Sequence, residues 1–175
     1  MKYRVLEKQE NSRLCFVCGI DNDASAKASF YICQKDDNEK ILLTIVQPRE
    51  IHQSYPGRMH GGVISALLDE SIGRSANIQL PDIWAVTIDL QVKFRKAVPL
   101  DQTLYIESKT TDIGTRAFDG EGKLFLRDGT VCATAKGKFF IVPIEKAIPD
   151  ADVKGMQVMV EEDLPEFIDL TSNQS

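Results

Sequence analysis

The sequence predicts an α+β fold in which a curled antiparallel β-sheet wraps around one long central α-helix. Residues 61–77 contain no proline and carry apolar residues at helical spacing. The rest of the chain contains short runs rich in β-branched and aromatic residues, separated by turn-forming residues. One apolar helix and about five or six such strands bury each other's apolar faces if the sheet curls around the helix.

A single domain is expected, because 175 residues with a hydrophobic content of 43% are enough to form one core. We assign residues 1–144 to this domain, including an amino-terminal entry segment. Residues 145–175 are acidic and mixed, contain Pro149 and Pro165, and end in a polar stretch. They are expected to form a partly ordered appendage, with room for a short helix and a frayed end.

The entry segment contains Cys15-Phe16-Val17-Cys18-Gly19, which has the spacing of a zinc knuckle or a redox pair. A structural zinc needs two further ligands, and no second tight pair occurs among the other candidates, which are Cys33, His52, His60 and Cys132. A redox pair would start a helix after a strand, whereas this one continues into the turn-like residues 19–23. We therefore predict neither a metal site nor a cofactor.

A β-hairpin is predicted next, from the β-rich runs at residues 27–33 and 40–46 and the turn-prone residues 35–39 between them. Pro48 ends the second strand. Residues 49–57 then form a loop that carries His52 towards the helix. The pattern leaves open whether His52 is an exposed loop residue or a functional one.

The helix begins after Pro56-Gly57, and its apolar face consists of Ile64, Leu67, Leu68 and Ile72. The first amides of a helix lack internal acceptors and carry the positive end of the helix dipole. They can therefore stabilise the negative charge that grows on a carbonyl oxygen under attack. Glycine at positions 61 and 62 leaves these amides open to a substrate.

Asp69 follows Gly62 by seven residues, which places it on nearly the same helix face but about 10 Å further along the axis. One carbonyl group cannot reach both, so a shared reaction requires the two groups to come from different subunits. The same face has small residues that let two helices approach closely, namely Gly62, Ala66, Gly73 and Ala76. The alternative is an ordinary buried helix with a solvated aspartate. Glu70 points about 100° away and cannot share a site with Asp69.

Four strand-like runs follow the helix, at residues 84–95, 103–111, 115–127 and 130–142. The short turns between them, of which residues 127–130 form the clearest, predict an antiparallel meander.

The run His60-Gly61-Gly62, followed after six residues by Asp69, resembles the signature of hotdog-fold acyl-CoA thioesterases of the phenylacetic-acid-pathway and human THEM type. Residues 85–90 and 92–100 are similar to the strand that follows the helix in those enzymes, and the resemblance covers residues 15–142. It implies the hotdog fold, metal-independent hydrolysis of an acyl-CoA thioester, and a homodimer that assembles into a homotetramer.

The resemblance also implies the roles of individual residues. Gly61, through its main-chain N–H, and His60 would polarise the thioester carbonyl. Asp69 of the other subunit would act as general base or nucleophile, and Thr87 would orient the attacking water. Gly62 would contact the substrate. Ser54, with Gln53 beside it, stands where some relatives have an asparagine near the thioester.

Basic residues near these positions are candidates for binding the phosphates of coenzyme A, and they are Arg58, Lys93, Arg95 and Lys96. Lys136 and Lys138 are weaker candidates. The alternative is that alternating basic residues on a strand simply face solvent.

Composition excludes or disfavours several other classes. A net charge of −5 gives no general attraction to nucleic acid. No segment has the roughly 20 apolar residues of a membrane span or the apolar core of a signal peptide, so we expect a cytoplasmic protein. The Gly-x-Ser-x-Gly motif of serine hydrolases is missing.

Two other functions remain open at this stage. The fold could bind acyl-CoA without turnover, as a regulator, or act as an enoyl hydratase or dehydratase. Release of free thiol from a panel of acyl-CoA thioesters would distinguish hydrolysis from both.

Overall fold

The computed structural model describes residues 1–81, 83–143, 156–160 and 163–170. These residues form one α-helix and ten β-strands. The helix, α1, is Gly61–Ser75. The strands are β1 Lys2–Lys8, β2 Asn11–Ser12, β3 Ser29–Gln34, β4 Lys40–Val46, β5 Ile83–Phe94, β6 Leu104–Ile113, β7 Ala117–Leu126, β8 Val131–Pro143, β9 Gln157–Val158 and β10 Phe167–Asp169. Short 3₁₀ turns occur at Glu50–His52 and Ala76–Ile78.

Eight of the strands form one antiparallel sheet in the order β10-β1-β3-β4-β6-β7-β8-β5. Helix α1 packs on its inner face and contacts β4, β5, β6, β7 and β8. The helix lies against the sheet through side chains that are at most 4% exposed, namely Ile64, Leu67, Leu68 and Ile72. These are the residues at helical spacing in the sequence, and the predicted α+β arrangement with one central helix is confirmed.

The predicted hairpin is confirmed as β3 and β4, which pair antiparallel from Ser29 opposite Ile45 to Gln34 opposite Lys40. The four-strand meander was wrong in one respect. Only β6, β7 and β8 follow one another, whereas β5 pairs with β8 at the far edge of the sheet. Helix α1 carries the chain across the inner face to that edge, so the place beside β4 is left for β6.

The expected number of strands was too small, because β1, β2, β9 and β10 were not predicted. Strand β1 mixes charged and apolar residues, and it is held by pairing with β3 and β10, which are distant in sequence. The described part of the carboxy-terminal segment supplies β9, which pairs with β2, and β10. The predicted domain boundary at residue 144 lies outside the described residues.

The two faces of the sheet differ. The inner face and α1 enclose the main core. The outer face of β1, β3, β4, β6 and β7 carries a second apolar cluster that includes Tyr3, Tyr31, Leu43, Tyr105 and Phe125. Among the residues that the structure describes, no helix combines the length and the apolar character needed to cross a membrane.

Candidate active site

The amino-terminal end of α1 is capped by His60. Its imidazole Nδ1 accepts a hydrogen bond of 2.9 Å from the main-chain N–H of Gly62, and its carbonyl accepts from Val63 and Ile64. Because Nδ1 is an acceptor, the neutral ring carries its proton on Nε2, which is left as an exposed donor. Within the described residues, the Gly61 N–H donates to no acceptor. Two donors, the Gly61 N–H and the His60 Nε2–H, are thus available at this end of the helix.

His52 is hydrogen-bonded to His60 and to the loops around it. It is only 2% exposed, so the first of the two alternatives left open by the sequence, an exposed loop residue, is excluded. Its Nδ1 accepts from the N–H of Arg49 at 3.3 Å, its Nε2 lies 3.2 Å from the carbonyl of Ala24, and its own carbonyl accepts from the His60 N–H at 2.8 Å. Burial lowers the pKa of His52, although the hydrogen bond to Ala24 opposes this. His52 therefore has a structural role in holding His60.

Asp69 and Thr87 meet across α1 and β5. The Thr87 hydroxyl donates a 2.8 Å hydrogen bond to Oδ1 of Asp69. Desolvation raises the pKa of the Asp69 carboxyl, the bond from Thr87 lowers it, and the charge of Glu70 raises it further, with a net upward shift. A threonine that holds one carboxylate oxygen leaves the other oxygen free to accept from water.

Glu70 lines the same cavity as Asp69, so the prediction that the two cannot share a site was wrong, but its hydrogen-bond partner is different. Its Oε1 accepts from Nε of Arg74 at 2.7 Å, one helical turn further on. The two neighbouring carboxylates thus face different groups, and only Asp69 contacts Thr87.

A cavity of about 580 Å³ opens beside Asp69 and Thr87. Its walls include Gly73, Trp84, Val86 and Phe139. Residues 60–62, at the amino-terminal end of α1, are not among the described residues that line this cavity. Gly61 precedes Asp69 by eight residues, or about 12 Å of helical rise. A single chain therefore does not bring the helix end and the carboxylate to one point.

Phe94 was not singled out from the sequence, yet it lies at the helix end. Its ring is 3.5 Å from the position that a Cβ of residue 61 would occupy, and it is 57% exposed. The available signal was the alternation of β5, in which Leu90 and Val92, four and two residues before Phe94, pack against the core.

The candidate substrate-binding residues are not all close together. Lys93 and Arg95 line a second cavity, of about 560 Å³, on the outer face of the sheet and away from Asp69. Arg58 and Lys96 are exposed, and the main chain of Arg58 bridges to Pro99 in the segment after β5. Of these four basic residues, Arg58 is the nearest in sequence to the amino-terminal end of α1.

Ser54 and Gln53 lie in the turn before the helix. The side chain of Gln53 accepts from the Gly57 N–H at 2.9 Å, and the main chain of Ser54 donates to Arg58. Within the described chain the Ser54 hydroxyl makes no hydrogen bond, so it is the freer of the two side chains.

The known proteins that this chain resembles are thioesterases. Residues 56–133, from the turn before α1 to the start of β8, match the model of the thioesterase superfamily. The human acyl-coenzyme A thioesterase THEM5 is 23% identical over 120 residues, which are 68% of this chain and 48% of that protein. The bovine acyl-coenzyme A thioesterase THEM4 is 25% identical over 118 residues, or 67% of this chain and 48% of that protein. The chain thus spans about half the length of the curated relatives it matches.

Solved structures give the same result. The thioesterase superfamily protein RHA08564 is 25% identical, with a TM-score of 0.62 over 73% of this chain and 63% of that one. The BH2602 protein from Bacillus halodurans, solved with CoA, is 27% identical, with a TM-score of 0.53 over 57% of this chain and 70% of that one. This chain therefore has the hotdog fold of these structures, and its residues 56–133 resemble the thioesterase superfamily.

Proposed function

We propose that this protein hydrolyses an acyl-CoA thioester to the free acid and coenzyme A, without a metal at the reacting atoms. The observation that carries the proposal is the 2.8 Å hydrogen bond from Thr87 to Asp69 beside a cavity large enough for part of an acyl chain. The free donors at the amino-terminal end of α1 supply the second half of the site.

In the proposed reaction, Thr87 and Asp69 hold a water molecule near the thioester carbon. Asp69 removes a proton from this water as it attacks, or the carboxylate attacks directly and the resulting anhydride is hydrolysed. The carbonyl oxygen becomes negative and accepts from the Gly61 N–H and the His60 Nε2–H. The C–S bond then breaks, coenzyme A leaves as the thiolate, and it takes up a proton.

The site is proposed to form between two subunits. In the part of the chain that the structure describes, β5 is an edge strand of 12 residues paired only with β8. Its exposed apolar residues are Val86, Ile88 and Phe94. A long apolar edge strand is a template for pairing with another chain. Pairing about a two-fold axis at β5 would join the helix end of one subunit to Asp69 of the other and would form two such sites.

The remaining parts of the proposal concern the nucleotide end of the substrate and the assembly. CoA is present in the related Bacillus halodurans structure. We place its phosphates near the basic residues Arg58, Lys93, Arg95 and Lys96, some of them contributed by a neighbouring subunit. Two dimers would associate into a tetramer. The four cysteines, none of them in a disulfide, suit a reducing compartment such as the cytoplasm.

The proposal is tested by measuring free thiol release from aromatic, short-chain and long-chain acyl-CoA substrates. Asp69→Asn should lower kcat by at least about a hundredfold, as expected for a general base, without loss of folding. Asp112→Asn is the matched control, because Asp112 is exposed and lies on β6, away from Thr87. No turnover of any substrate by the wild-type protein, or full turnover by Asp69→Asn, would contradict the proposal.

A further inference from the structure

Three possible metal ligands converge beside α1. One sulfur atom of Cys15, one of Cys18 and one carboxylate oxygen of Glu70 all lie within 4.8 Å of one another. The two cysteines come from the turn after β2, whereas Glu70 comes from the middle of the helix. Two thiols and a carboxylate are a ligand set suited to zinc and similar thiophilic cations.

The cysteine turn is rigid before any ion binds. The Val17 N–H donates to the Cys15 sulfur at 3.3 Å, and the Gly19 N–H donates to the Cys15 carbonyl at 2.7 Å. A Cβ at Gly19 would lie 2.4 Å from that carbonyl oxygen, so only glycine fits this turn. The Asn11 amide donates to the carbonyl of Cys18 at 2.9 Å and fixes the other end of the turn. The sulfur atoms are thus held in place by the main chain.

Arg74 lies next to the three candidate ligands and contacts two of them, Glu70 and Cys18. Its Nε donates to Glu70 at 2.7 Å, one of its terminal nitrogens contacts the Cys18 sulfur at 3.4 Å, and the other donates to the Glu10 carbonyl at 2.9 Å. Such outer contacts are typical of metal sites, where they orient the ligands. Two thiolates, one carboxylate and one guanidinium carry a net charge of −2, which a divalent cation would neutralise.

We propose that Cys15, Cys18 and Glu70 bind one divalent thiophilic cation of the zinc class. Cys15 and Glu70 also line the 580 Å³ cavity, so a water molecule can complete a tetrahedral site from that side. The ion would link the cysteine turn to α1 one residue away from Asp69. This proposal does not depend on thioester hydrolysis. It differs from the prediction of no metal, because the third ligand lies 52 residues after Cys18 and only the tertiary structure brings it close.

The test uses Co²⁺, which gives a sulfur-to-cobalt absorption band when thiolates bind it. Co²⁺ is titrated into the full chain, kept reduced with a phosphine. We expect saturation at one equivalent per chain, displacement of the band by Zn²⁺, and a higher melting temperature with Zn²⁺. Cys15→Ser should weaken binding by about a hundredfold or more, since even the loss of an outer partner costs about 10- to 100-fold.

Two further variants make the test specific. Glu70→Gln should weaken binding while retaining an acceptor for Arg74. Cys132→Ala is the matched control and should bind as the wild type does, because its thiol lies on β8 and belongs to no ligand cluster in the described chain. If Glu70→Gln fails to fold, Cys15→Ser decides the question, because Cys15 is only half-buried. The proposal is overturned if the wild type gives no cobalt band, or if Cys15→Ser gives the same band as the wild type. It is also overturned if Zn²⁺ raises the melting temperatures of the wild type and of Cys15→Ser equally.

Discussion

Two adjacent carboxylates on α1 illustrate how single residues acquire different roles. Asp69 meets the Thr87 hydroxyl on β5, whereas Glu70 meets Arg74 on the same helix. The residue types do not separate them, because both are acidic and both are partly buried. The two carboxylates differ in their hydrogen-bond partners, because consecutive side chains leave the helix about 100° apart around its axis.

Thr87 is expected to position water and to take no part in bond breaking. Thr87→Val keeps the shape of the side chain and removes the hydrogen bond to Asp69. A hydrogen bond to a charged group contributes about 1.5–3 kcal/mol, so kcat should fall by about 10- to 100-fold, less than for Asp69→Asn. Thr111→Val, at an exposed position on β6, serves as the control. Steady-state kinetics that show no change for Thr87→Val would make Thr87 an ordinary strand residue.

His52 should make the stability of the fold depend on pH. Burial lowers the pKa of the folded-state imidazole below the unfolded value of about 6.5. Above pH 6.5 the ring is neutral in both states, and stability is complete. As the pH falls below about 6.5, the unfolded state binds a proton that the folded state resists, so the free energy of unfolding falls until the folded pKa is passed.

Urea denaturation at pH 7.5 and at pH 5.5 tests this expectation. The loss of stability between the two pH values should be smaller in His52→Gln than in the wild type. Carboxylates affect both proteins alike, so the difference between them reports His52. An equal loss in both would mean that the burial of His52 does not couple folding to protonation.

At the scale of elements, the helix and the sheet fit closely because β7 has glycine under α1. Cβ atoms at Gly120 and Gly122 would lie 2.6 Å and 3.0 Å from atoms of Ile72. Helix α1 also lies close to β5, since a Cβ atom at Gly73 of α1 would lie 3.2 Å from the Cβ atom of Ala85 on β5. These small residues set the distance between the helix and the strands that carry the site.

Gly120→Ala should therefore destabilise the protein by about 1–3 kcal/mol, the usual cost of overpacking. Chemical denaturation measures the change in the free energy of unfolding. The same substitution in an Ile72→Ala background should cost clearly less, because the clashing side chain has been removed. Equal costs in the two backgrounds would show that the contact with Ile72 is not the cause.

At the scale of the whole molecule, the proposed site needs two chains. The Gly61 N–H and Asp69 are about 12 Å apart along one helix, and the cavity beside Asp69 contains no residue from positions 60–62 in the described chain. The apolar edge of β5 is the surface on which the second chain is expected to bind.

Mixing two inactive variants tests this arrangement. One is Asp69→Asn, and the other is Gly61→Val, whose side chain blocks the helix end and pushes against the Phe94 ring. After random subunit exchange, half the dimers are mixed, and one of the two sites in each mixed dimer is intact. About a quarter of the wild-type activity should return.

Exchange is verified independently, by mass spectrometry of subunits that carry different isotopes. A mixture of Asp69→Asn with Asp69→Asn/Gly61→Val is the matched control and should stay inactive. Demonstrated exchange without recovery of activity would mean that each site lies within one chain.

Local pattern determined much of this fold. Helix α1, the β3–β4 hairpin and the approximate limits of β5, β6, β7 and β8 were predictable, because helical spacing, strand composition and turn residues act over a few positions. The His60-Gly61-Gly62 to Asp69 motif was equally visible and carried the resemblance to hotdog-fold thioesterases. These features depend on residues that are neighbours in the chain.

Only the tertiary structure decided the rest. The place of β5 at the sheet edge and the pairing of β1 depend on strands far apart in sequence, whose contacts no local pattern records. The structural role of His52 could not be predicted for the same reason, since the Ala24 carbonyl that its ring contacts lies 28 residues earlier. The Thr87 partner of Asp69 comes from β5, and the cysteine turn lies near Glu70, because α1 packs against elements that the chain reaches later or earlier.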